Sequence, residues 1–363
     1  MLRIVTILVF VFISSPGHCM EPEEADNFLS SSMVNSKGLN QQHVLSQHPE
    51  ALDREISSKD AELYLQEVFA IIKSHSVMRK KVDWKKLEDE AFQLVSNAQK
   101  TSDTYPAIYH ILDKLGDNHS FLMKQITSEA LVEEKEDNQL SFNCTKGEML
   151  HHKIGYILLS GFSSRDDQTT EKYALHINEI IKNLAKLDPC GWVLDLRQNG
   201  GGNMWPMLAG VAALLGDGKL GSFVDPDGNE DEWSCKEGKI LSEAGVMVEY
   251  LPQESIYRIP ANSPITVLIG PDTASSGEAI TVSFKGRPHT RFFGQKTSGL
   301  SSANQGFPLT DGAELFLTTA YFADRHQNIY TDGISPDEFT SEGENHEDST
   351  LKKATEWLLD QSK

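Results

Sequence analysis

The first third of the chain places apolar side chains at helical spacing. In residues 59–73 they recur with the period of an amphipathic helix. A second helix is predicted after Asp83, whose short acidic side chain suits a helix N-cap, and a third from about Tyr105 to Leu115. Residues 56–125 are therefore predicted to form a small N-terminal helical domain.

Beyond residue 151 the pattern changes to short apolar runs separated by helical segments. The runs "KIGYILLSGF", "GWVLDLR", "PITVLIG", "TRFFG" and "AELFLTTAYFA" predict strands. Residues 169–187 predict an amphipathic helix with Leu187 on its apolar face, and residues 206–216 predict an apolar helix. This alternation predicts an α/β core with parallel strands over residues 151–345.

Three further segments surround these two units. Residues 126–150 are acidic and polar and predict a connector. Residues 346–363 contain "LKKATEWLLD", which predicts a C-terminal helix. Residues 20–55 lack apolar periodicity and predict a flexible lead-in.

Residues 1–19 have the pattern of a signal peptide, with Arg3 before the apolar run of residues 4–13 and small residues after it. The mature protein is therefore expected to be secreted or periplasmic. His18 directly before Cys19 is unfavourable for a lipoprotein signal, so a lipid anchor is not expected there. The alternative for this segment is a buried first strand or helix.

Composition and charge exclude several classes of function. The formal net charge of −20 over 363 residues disfavours nucleic acid as a partner, because phosphate binding needs a basic face. No later segment has the roughly 18 apolar residues of a membrane span. Past the signal only Cys144, Cys190 and Cys235 remain, an odd number that makes no disulfide framework, although a single bridge stays open. Their spacing offers no metal site, and no motif indicates a cofactor.

Three glycines follow a predicted buried strand in "LDLRQNGGGNMWP". Gly200 to Gly202 lie where that strand gives way to a helix. Glycines at such a turn let backbone N–H groups point at a bound group, and these N–H groups can stabilise an oxyanion. The same pattern also fits a glycine turn without a function.

The stretch "PDTASSGEA" lies between a predicted strand and a predicted helix. A serine at that junction has the geometry of a nucleophile elbow, although the G-x-S-x-G pattern is absent. The alternative is a helix cap, in which Glu278 completes a capping box from Ser275. This stretch alone favours the cap.

A histidine in "LGDNHSFL" is a candidate general base. His119 falls in a glycine-punctuated turn after the third predicted helix. The chain has 12 histidines, and an arbitrary one is more often a surface or core residue than a base. His119 gains interest only in combination with the other motifs.

Six stretches occur in one order along the chain: "GYILLSGF", "VLDLRQNGGG", "TASSGEA", "RFFGQKTSG", "LTDGAELFLTTA" and "DGISPD". This order resembles the tail-specific (C-terminal processing) serine peptidase family, which includes tricorn-type proteases and interphotoreceptor retinoid-binding repeats. The resemblance covers about residues 60–340. It implies a ββα-spiral core, related to the crotonase and Clp-protease folds, with a small N-terminal helical domain.

The resemblance implies roles for the matching residues. In the family the nucleophile is the serine three positions before the elbow glutamate; that glutamate is Glu278 here, so the nucleophile is Ser275. The backbone N–H of Ser276 would join the oxyanion hole with one from Gly200 or Gly201. The resemblance therefore favours the nucleophile over a simple cap, with capping able to occur alongside.

The chain departs from the processing proteases at the base. Their lysine, in the motif T-F-G-K-G, corresponds to Leu300 here, and Lys296 falls at a different position. The tricorn-type branch instead uses a histidine from a turn before the core, which His119 matches. The near-neutral pKa of an ordinary histidine suits that task.

Two other family features are missing. The acidic relay position of the tricorn-type branch is Tyr330 here, which leaves Asp332 and Asp337 as the nearest candidate carboxylates. The segment between His119 and Lys153 is too short for a peptide-binding PDZ domain, which other members carry there.

The resulting hypothesis is a serine endopeptidase that acts through an acyl-enzyme on Ser275, with His119 as the general base. Its partners would be protein or peptide substrates, and it would need no metal or cofactor. The alternative is a catalytically inactive protein that binds an apolar ligand on the same scaffold, which the missing lysine and relay glutamate favour. No feature of the sequence sets an oligomeric state.

Overall fold

The computed structural model of the chain describes residues 55–124, 137, 139–164, 166–242, 245–248, 251, 256–340 and 348–361. The predicted signal peptide, the lead-in up to residue 54 and residues 126–136 of the predicted connector lie outside these residues.

The α-helices are α1 Ser58–His75, α2 Trp84–Leu94, α3 Tyr105–Leu115, α4 Asp167–Ala185, α5 Met204–Leu215, α6 Ser276–Phe284 and α7 Ser349–Gln361. The strands are β1 Phe121–Met123, β2 Lys146–Leu150, β3 Ile154–Leu158, β4 Gly191–Asp195, β5 Gly218–Val224, β6 Glu230–Lys236, β7 Lys239–Ser242, β8 Gly245–Val248, β9 Ile265–Ile269, β10 Thr290–Gly294, β11 Ser302–Pro308, β12 Glu314–Asp324, β13 Ile329–Tyr330 and β14 Glu338–Phe339.

The three predicted N-terminal helices are confirmed. Asp83 accepts a hydrogen bond from the N–H of Lys86 and so caps α2, as its position predicts. Gly116 adopts φ 70° and ends α3. The apolar faces of the helices pack against Leu315 and Leu317 of β12, so this unit shares its core with a sheet of the second unit. The domain limits stay predictions.

A six-stranded sheet forms the centre of the second unit, in the order β14-β10-β9-β4-β3-β2. All its pairs are parallel except β2 with β3. Helices α4, α5 and α6 pack into one large core with these strands. The predicted α/β class with a parallel core is confirmed. The carboxyl ends of β4 and β9, where α/β proteins place their sites, lie side by side.

A second sheet has the order β1-β12-β5-β6-β7-β8, with β11 and β13 also paired to β12. Strand β1 pairs antiparallel with β12, Phe121 opposite Phe316. Strand β11 pairs with the same β12. The turn that carries His119 precedes β1, so these two pairings bring that turn close to the start of β11.

Three features of the fold differ from those predicted by the sequence. Residues 146–150 are not a connector but the antiparallel edge strand β2, whose exposed polar side chains hide its alternation. Strands β5 to β8 were not predicted, because charged side chains interrupt segments such as "EDEWSCK". Helix α4 ends at Ala185, so Leu187 lies beyond it and is exposed.

An ion-pair cluster fixes the end of β4. The carboxylate of Asp195 is buried and accepts hydrogen bonds from Arg197 and from the hydroxyl of Tyr156. Arg197 also binds Asp348, directly before α7. The cluster thus joins the C-terminal helix to the strand that leads into the glycine turn.

Within the described ranges, no helix has both the length and the apolar character needed to cross a membrane. Cys144, Cys190 and Cys235 form no disulfide with one another, so the single bridge left open by the sequence is not formed among them.

Candidate functional site

Ser275 lies at a strained elbow between β9 and α6. Its backbone has φ 52° and ψ −115°, a conformation that costs a non-glycine residue about 1–3 kcal/mol and that clusters at functional sites. Its side chain is buried, and its Oγ has no hydrogen-bond partner among the described residues. A helix-capping serine would use this oxygen to accept from the first turn of α6. The hydroxyl of Ser275 is therefore free for another task.

The glycine turn after β4 packs directly against this elbow. Gly201 has φ 109°, and a side-chain carbon placed on it would lie 2.9 Å from Cβ of Ser275, so only glycine fits. A carbon placed on Gly200 would meet nothing within 4 Å, so this residue faces open space. The hydroxyl of Ser276 donates to the carbonyl of Gly202 at 2.6 Å and is fully used in holding elbow and turn together.

The N–H groups near Ser275 differ in their availability. The N–H of Gly201 donates to Oδ1 of Asn199 at 3.1 Å and is occupied. In the described part of the chain, no acceptor is bound by the N–H of Gly200 or by that of Ser276. Of the two glycines that the sequence offered, Gly200 is thus the one with an available donor.

Asn199 is a positioning residue that the sequence analysis missed. Its buried amide donates to the carbonyls of Leu159 and Ser160 at 3.2 and 3.3 Å, and its backbone oxygen accepts from the N–H of Ala274 at 3.0 Å. It also accepts from the N–H of Gly201. The side chain of Asn199 therefore joins the end of β3 to the glycine turn, and its backbone oxygen holds the elbow. An asparagine before three glycines was the available signal.

Glu278 is fully buried under the same elbow, and its carboxylate acts only as a hydrogen-bond acceptor for the described residues. Oε2 accepts from the N–H of Ser275 at 3.1 Å. Oε1 accepts from the hydroxyls of Thr297 and Ser301 and from the N–H of Gly299. Burial raises the pKa of this carboxyl above its ordinary value, partly offset by the hydrogen bonds from Thr297 and Ser301. From the sequence, this residue served to locate the nucleophile and was the expected partner of Ser275 in a capping box.

Glu278→Gln should destabilise the fold and disorder the elbow. The amide nitrogen of glutamine is a donor, and it would face either the N–H of Ser275 or three donors at Oε1. Leaving such buried donors unpaired costs about 1–3 kcal/mol each. Thermal unfolding of the variant should show a lowered Tm; an unchanged Tm would contradict this role of the carboxylate.

His119 is held by its own turn and by β11. The N–H of His119 donates to the carboxylate of Asp117 at 2.9 Å, and its carbonyl accepts from the side-chain amide of Asn304 at 2.6 Å. Nδ1 of the ring is hydrogen-bonded to Oγ of Ser302 at 2.8 Å. Nε2 is buried and has no partner among the described residues. Nδ1 is therefore the ring nitrogen that contacts Ser302, and Nε2, on the other side of the ring, is the one without a partner among the described residues.

Burial lowers the pKa of His119 to about 4, and it is the only cause of the shift. The near-neutral pKa predicted from the sequence for His119 is therefore wrong. The imidazolium would be desolvated, and among the described residues no carboxylate is bonded to the ring, so the neutral form is favoured.

The two candidate relay aspartates make other contacts. The carboxylate of Asp332 is exposed and pairs with Lys296 at 2.8 Å. Asp337 accepts from the N–H of Phe292 at 2.9 Å. Within the described residues neither aspartate bonds to His119, so they are not proposed as a relay; the position beside Nδ1 belongs to Ser302.

The lysines near the elbow also have other partners. Lys296 is engaged by Asp332, as above. The ammonium of Lys285, beyond the far end of α6, lies 3.8 Å from the centre of the Phe292 ring. Among the residues that the structure describes, no group of histidine, cysteine and carboxylate side chains could hold a metal ion.

Comparison with known proteins gives a family match. The model described as Peptidase family S41 matches residues 153–339. The nisin-resistance protein of Lactococcus lactis subsp. lactis is 29% identical over 286 residues, which cover 77% of this chain and 81% of that protein. The carboxyl-terminal-processing protease of Synechocystis is 27% identical over 186 residues, which cover 51% of this chain but only 37% of the relative.

Solved structures show the same fold. A lipoprotein from Streptococcus agalactiae superposes with a TM-score of 0.68 at 25% identity, covering 83% of this chain and 96% of that one. The photosystem II D1 C-terminal processing protease superposes with a TM-score of 0.55 at 17% identity, covering 79% of this chain and 94% of that one.

Proposed function

Because this chain belongs to peptidase family S41, we propose that it is a serine endopeptidase with Ser275 as the nucleophile and His119 as the general base. One observation carries the proposal: Oγ of Ser275 and Nε2 of His119 are both buried and both lack a partner among the described residues. The two atoms are not hydrogen-bonded to each other, but adjacent residues link them: Ser301 binds Glu278, which holds Ser275, and Ser302 binds His119. Buried polar atoms are nearly always satisfied in native structures, so two such unpaired atoms call for a functional explanation.

The proposed chemistry follows from these two atoms. Oγ of Ser275 attacks the peptide carbonyl while Nε2 of His119 takes its proton. The same imidazolium then gives that proton to the leaving amine, and a water molecule hydrolyses the acyl-enzyme with His119 again as the base. Since the pKa of His119 is about 4, the base is neutral and ready at physiological pH.

We propose that the N–H groups of Gly200 and Ser276 form the oxyanion hole. Both N–H groups are unoccupied within the described residues, and Gly200 borders open space. Ser276 is the first residue of α6, so its N–H also belongs to the positive end of the helix dipole. Gly201 supports the hole by its close contact with Ser275 rather than by its own N–H.

The inactive binding protein remains the alternative function. This alternative is favoured by the residues at two family positions: Leu300 replaces the lysine base and Tyr330 replaces the relay acid. Against it stand the strained backbone of Ser275 and its unpartnered hydroxyl, because a scaffold without chemistry has no use for a strained nucleophile.

Labelling with a fluorophosphonate tests the proposed function. The folded protein should be modified at Ser275 and at no other serine, and denatured protein should not react, because an unactivated serine hydroxyl is a weak nucleophile. Fragmentation of the peptide containing residues 275 and 276 by mass spectrometry locates the label. Absence of label on folded protein would favour the binding-protein alternative, and label on Ser276 would shift the nucleophile by one position.

The substrates are proposed to be peptides or proteins. The relative from Lactococcus is named for nisin resistance and the one from Synechocystis for carboxyl-terminal processing. The chain covers 81% of the former and 37% of the latter, so the former is the stronger support for this proposal.

We also propose that the protein is exported, on the strength of the signal-peptide pattern in residues 1–19 and the similarity to a lipoprotein. N-terminal sequencing of the mature protein should give a start near residue 20. A mature chain that still begins at Met1 would refute export by cleavage.

A further inference from the structure

Ser301 and Ser302 are consecutive residues that serve the two sides of the proposed site. The hydroxyl of Ser301 donates to Glu278, whose carboxylate also holds the N–H of Ser275. The hydroxyl of Ser302 is bonded to Nδ1 of His119. These two hydrogen bonds place Ser301, in the turn before β11, and Ser302, the first residue of β11, between Glu278 and His119.

Ser302 is itself held firmly. Its N–H donates to the carbonyl of Leu300 at 2.8 Å, and it pairs with Tyr321 in the β11–β12 ladder. Its side chain is 5% exposed. A hydroxyl fixed in this way can set the orientation of an imidazole ring, which a solvent-exposed serine could not.

We propose that Ser302 is a positioning residue that keeps the proton of neutral His119 on Nδ1, so that Nε2 is free to act as the base, and that it does so without a carboxylate. This inference rests on the proposed function. In the acylation step the O–H bond of Ser275 breaks and an N–H bond forms at Nε2. The Nδ1–H bond stays intact, and Oγ of Ser302 accepts from it throughout without gaining a proton.

The charged groups around His119 do not replace the missing carboxylate. Asp117, on the same turn, accepts from the N–H groups of His119 and Ser120 and from the hydroxyl of Ser120. Glu278 lies across the start of β11 and is bound by its own donors. A hydroxyl can either accept from Nδ1–H or donate to Nδ1, and the proposed tautomer requires Ser302 to be the acceptor. A neutral acceptor gives little stabilisation to the imidazolium, in agreement with the low pKa of His119.

Three variants separate tautomer control from charge. Ser302→Ala removes the acceptor, Ser302→Thr keeps it, and Ser302→Asp supplies a carboxylate. Ser298→Ala is the matched control, because Ser298 is exposed in the loop that leads to β11. Within the described residues, its one hydrogen bond is from its N–H to the carbonyl of Thr273. The measurement is the second-order rate of fluorophosphonate inactivation from pH 4 to pH 8.

We expect Ser298→Ala to match the unmodified protein and Ser302→Ala to lose about 100-fold, the lower end of what a positioned base contributes. Ser302→Thr should restore most of the rate. Ser302→Asp should move the acid limb of the profile upward by about 1–3 pH units, the shift that an adjacent opposite charge gives. A rate for Ser302→Ala equal to the control, or an unmoved limb in a folded Ser302→Asp protein, would overturn the proposal.

A second measurement tests the same contact without any reaction. Nitrogen-15 chemical shifts of the imidazole, assigned with His119→Ala, report which ring nitrogen carries the proton. We expect Nδ1–H in the unmodified protein and a loss of that preference in Ser302→Ala. A proton on Nε2 in the unmodified protein would refute the role of Ser302, even if Ser275 is labelled. If the proton lies on Nδ1 but Ser275 is not labelled, only the proposed function is refuted.

Discussion

Ser275→Ala should abolish peptide hydrolysis, with a loss in kcat of about 10⁴- to 10⁶-fold, the range seen when a catalytic serine is removed. The mutation deletes only Oγ, which has no hydrogen-bond partner among the described residues. The fold should therefore remain intact and Tm nearly unchanged.

Ser276→Ala is the matched control for this substitution. Its hydroxyl binds the carbonyl of Gly202, so its loss should lower the stability by about 1–3 kcal/mol. Its backbone N–H remains, and with it the proposed oxyanion contact, so activity should persist. Steady-state kinetics and thermal unfolding of both variants check the pair; an active Ser275→Ala or a dead but well-folded Ser276→Ala would contradict the assignment.

His119→Ala should lower kcat/KM by about 10²- to 10⁴-fold, the contribution of a general base. His110→Ala is the control, because that histidine pairs with Glu90 on the N-terminal helices and has no part in the site. Equal losses in the two variants would show an effect on the fold and not on catalysis.

The pH dependence distinguishes His119 from a lysine base. The base must be neutral, so kcat/KM should be level from pH 6 to 8 and should fall only as the pH approaches the pKa of about 4. The unfolded chain binds this proton near pH 6.5, so stability also decreases as the pH falls between these values. Circular dichroism spectra recorded at each pH show whether the protein is folded, and only rates from folded protein enter the pH profile. A value of kcat/KM that still rises with pH above pH 8 would indicate a lysine base instead of His119.

The elements around the nucleophile were predictable because they are local. "PITVLIG" is a continuous apolar run, as a strand buried on both faces requires, and β9 occupies residues 265–269. The serine pair follows β9 after the turn of residues 270–274, with Ser275 directly before α6 and Ser276 as its first residue. Gly200 to Gly202 follow β4 in the same way. In a parallel sheet, residues after neighbouring strands meet at one edge, so strand order alone brings turn and elbow together.

The surroundings of His119 were not predictable from sequence. Its partner Ser302 lies 183 residues further along the chain, and the contact exists only because β1 and β11 both pair with β12. The low pKa likewise reflects burial, which is a property of the packed structure. Asp332 and Asp337 were chosen because they are close in sequence to Tyr330, the family's relay position. Closeness in sequence does not show which groups a side chain binds, and the two aspartates bind Lys296 and the N–H of Phe292.

The central claim is that His119 activates Ser275, and the rate of fluorophosphonate inactivation tests it most directly. The rate is measured at pH 7 for the unmodified protein, His119→Ala and His110→Ala, with the label located at Ser275 by mass spectrometry. We predict that His119→Ala reacts at least about 100-fold more slowly, while His110→Ala reacts at the unmodified rate. Labelling of Ser275 at the same rate in His119→Ala would contradict the account.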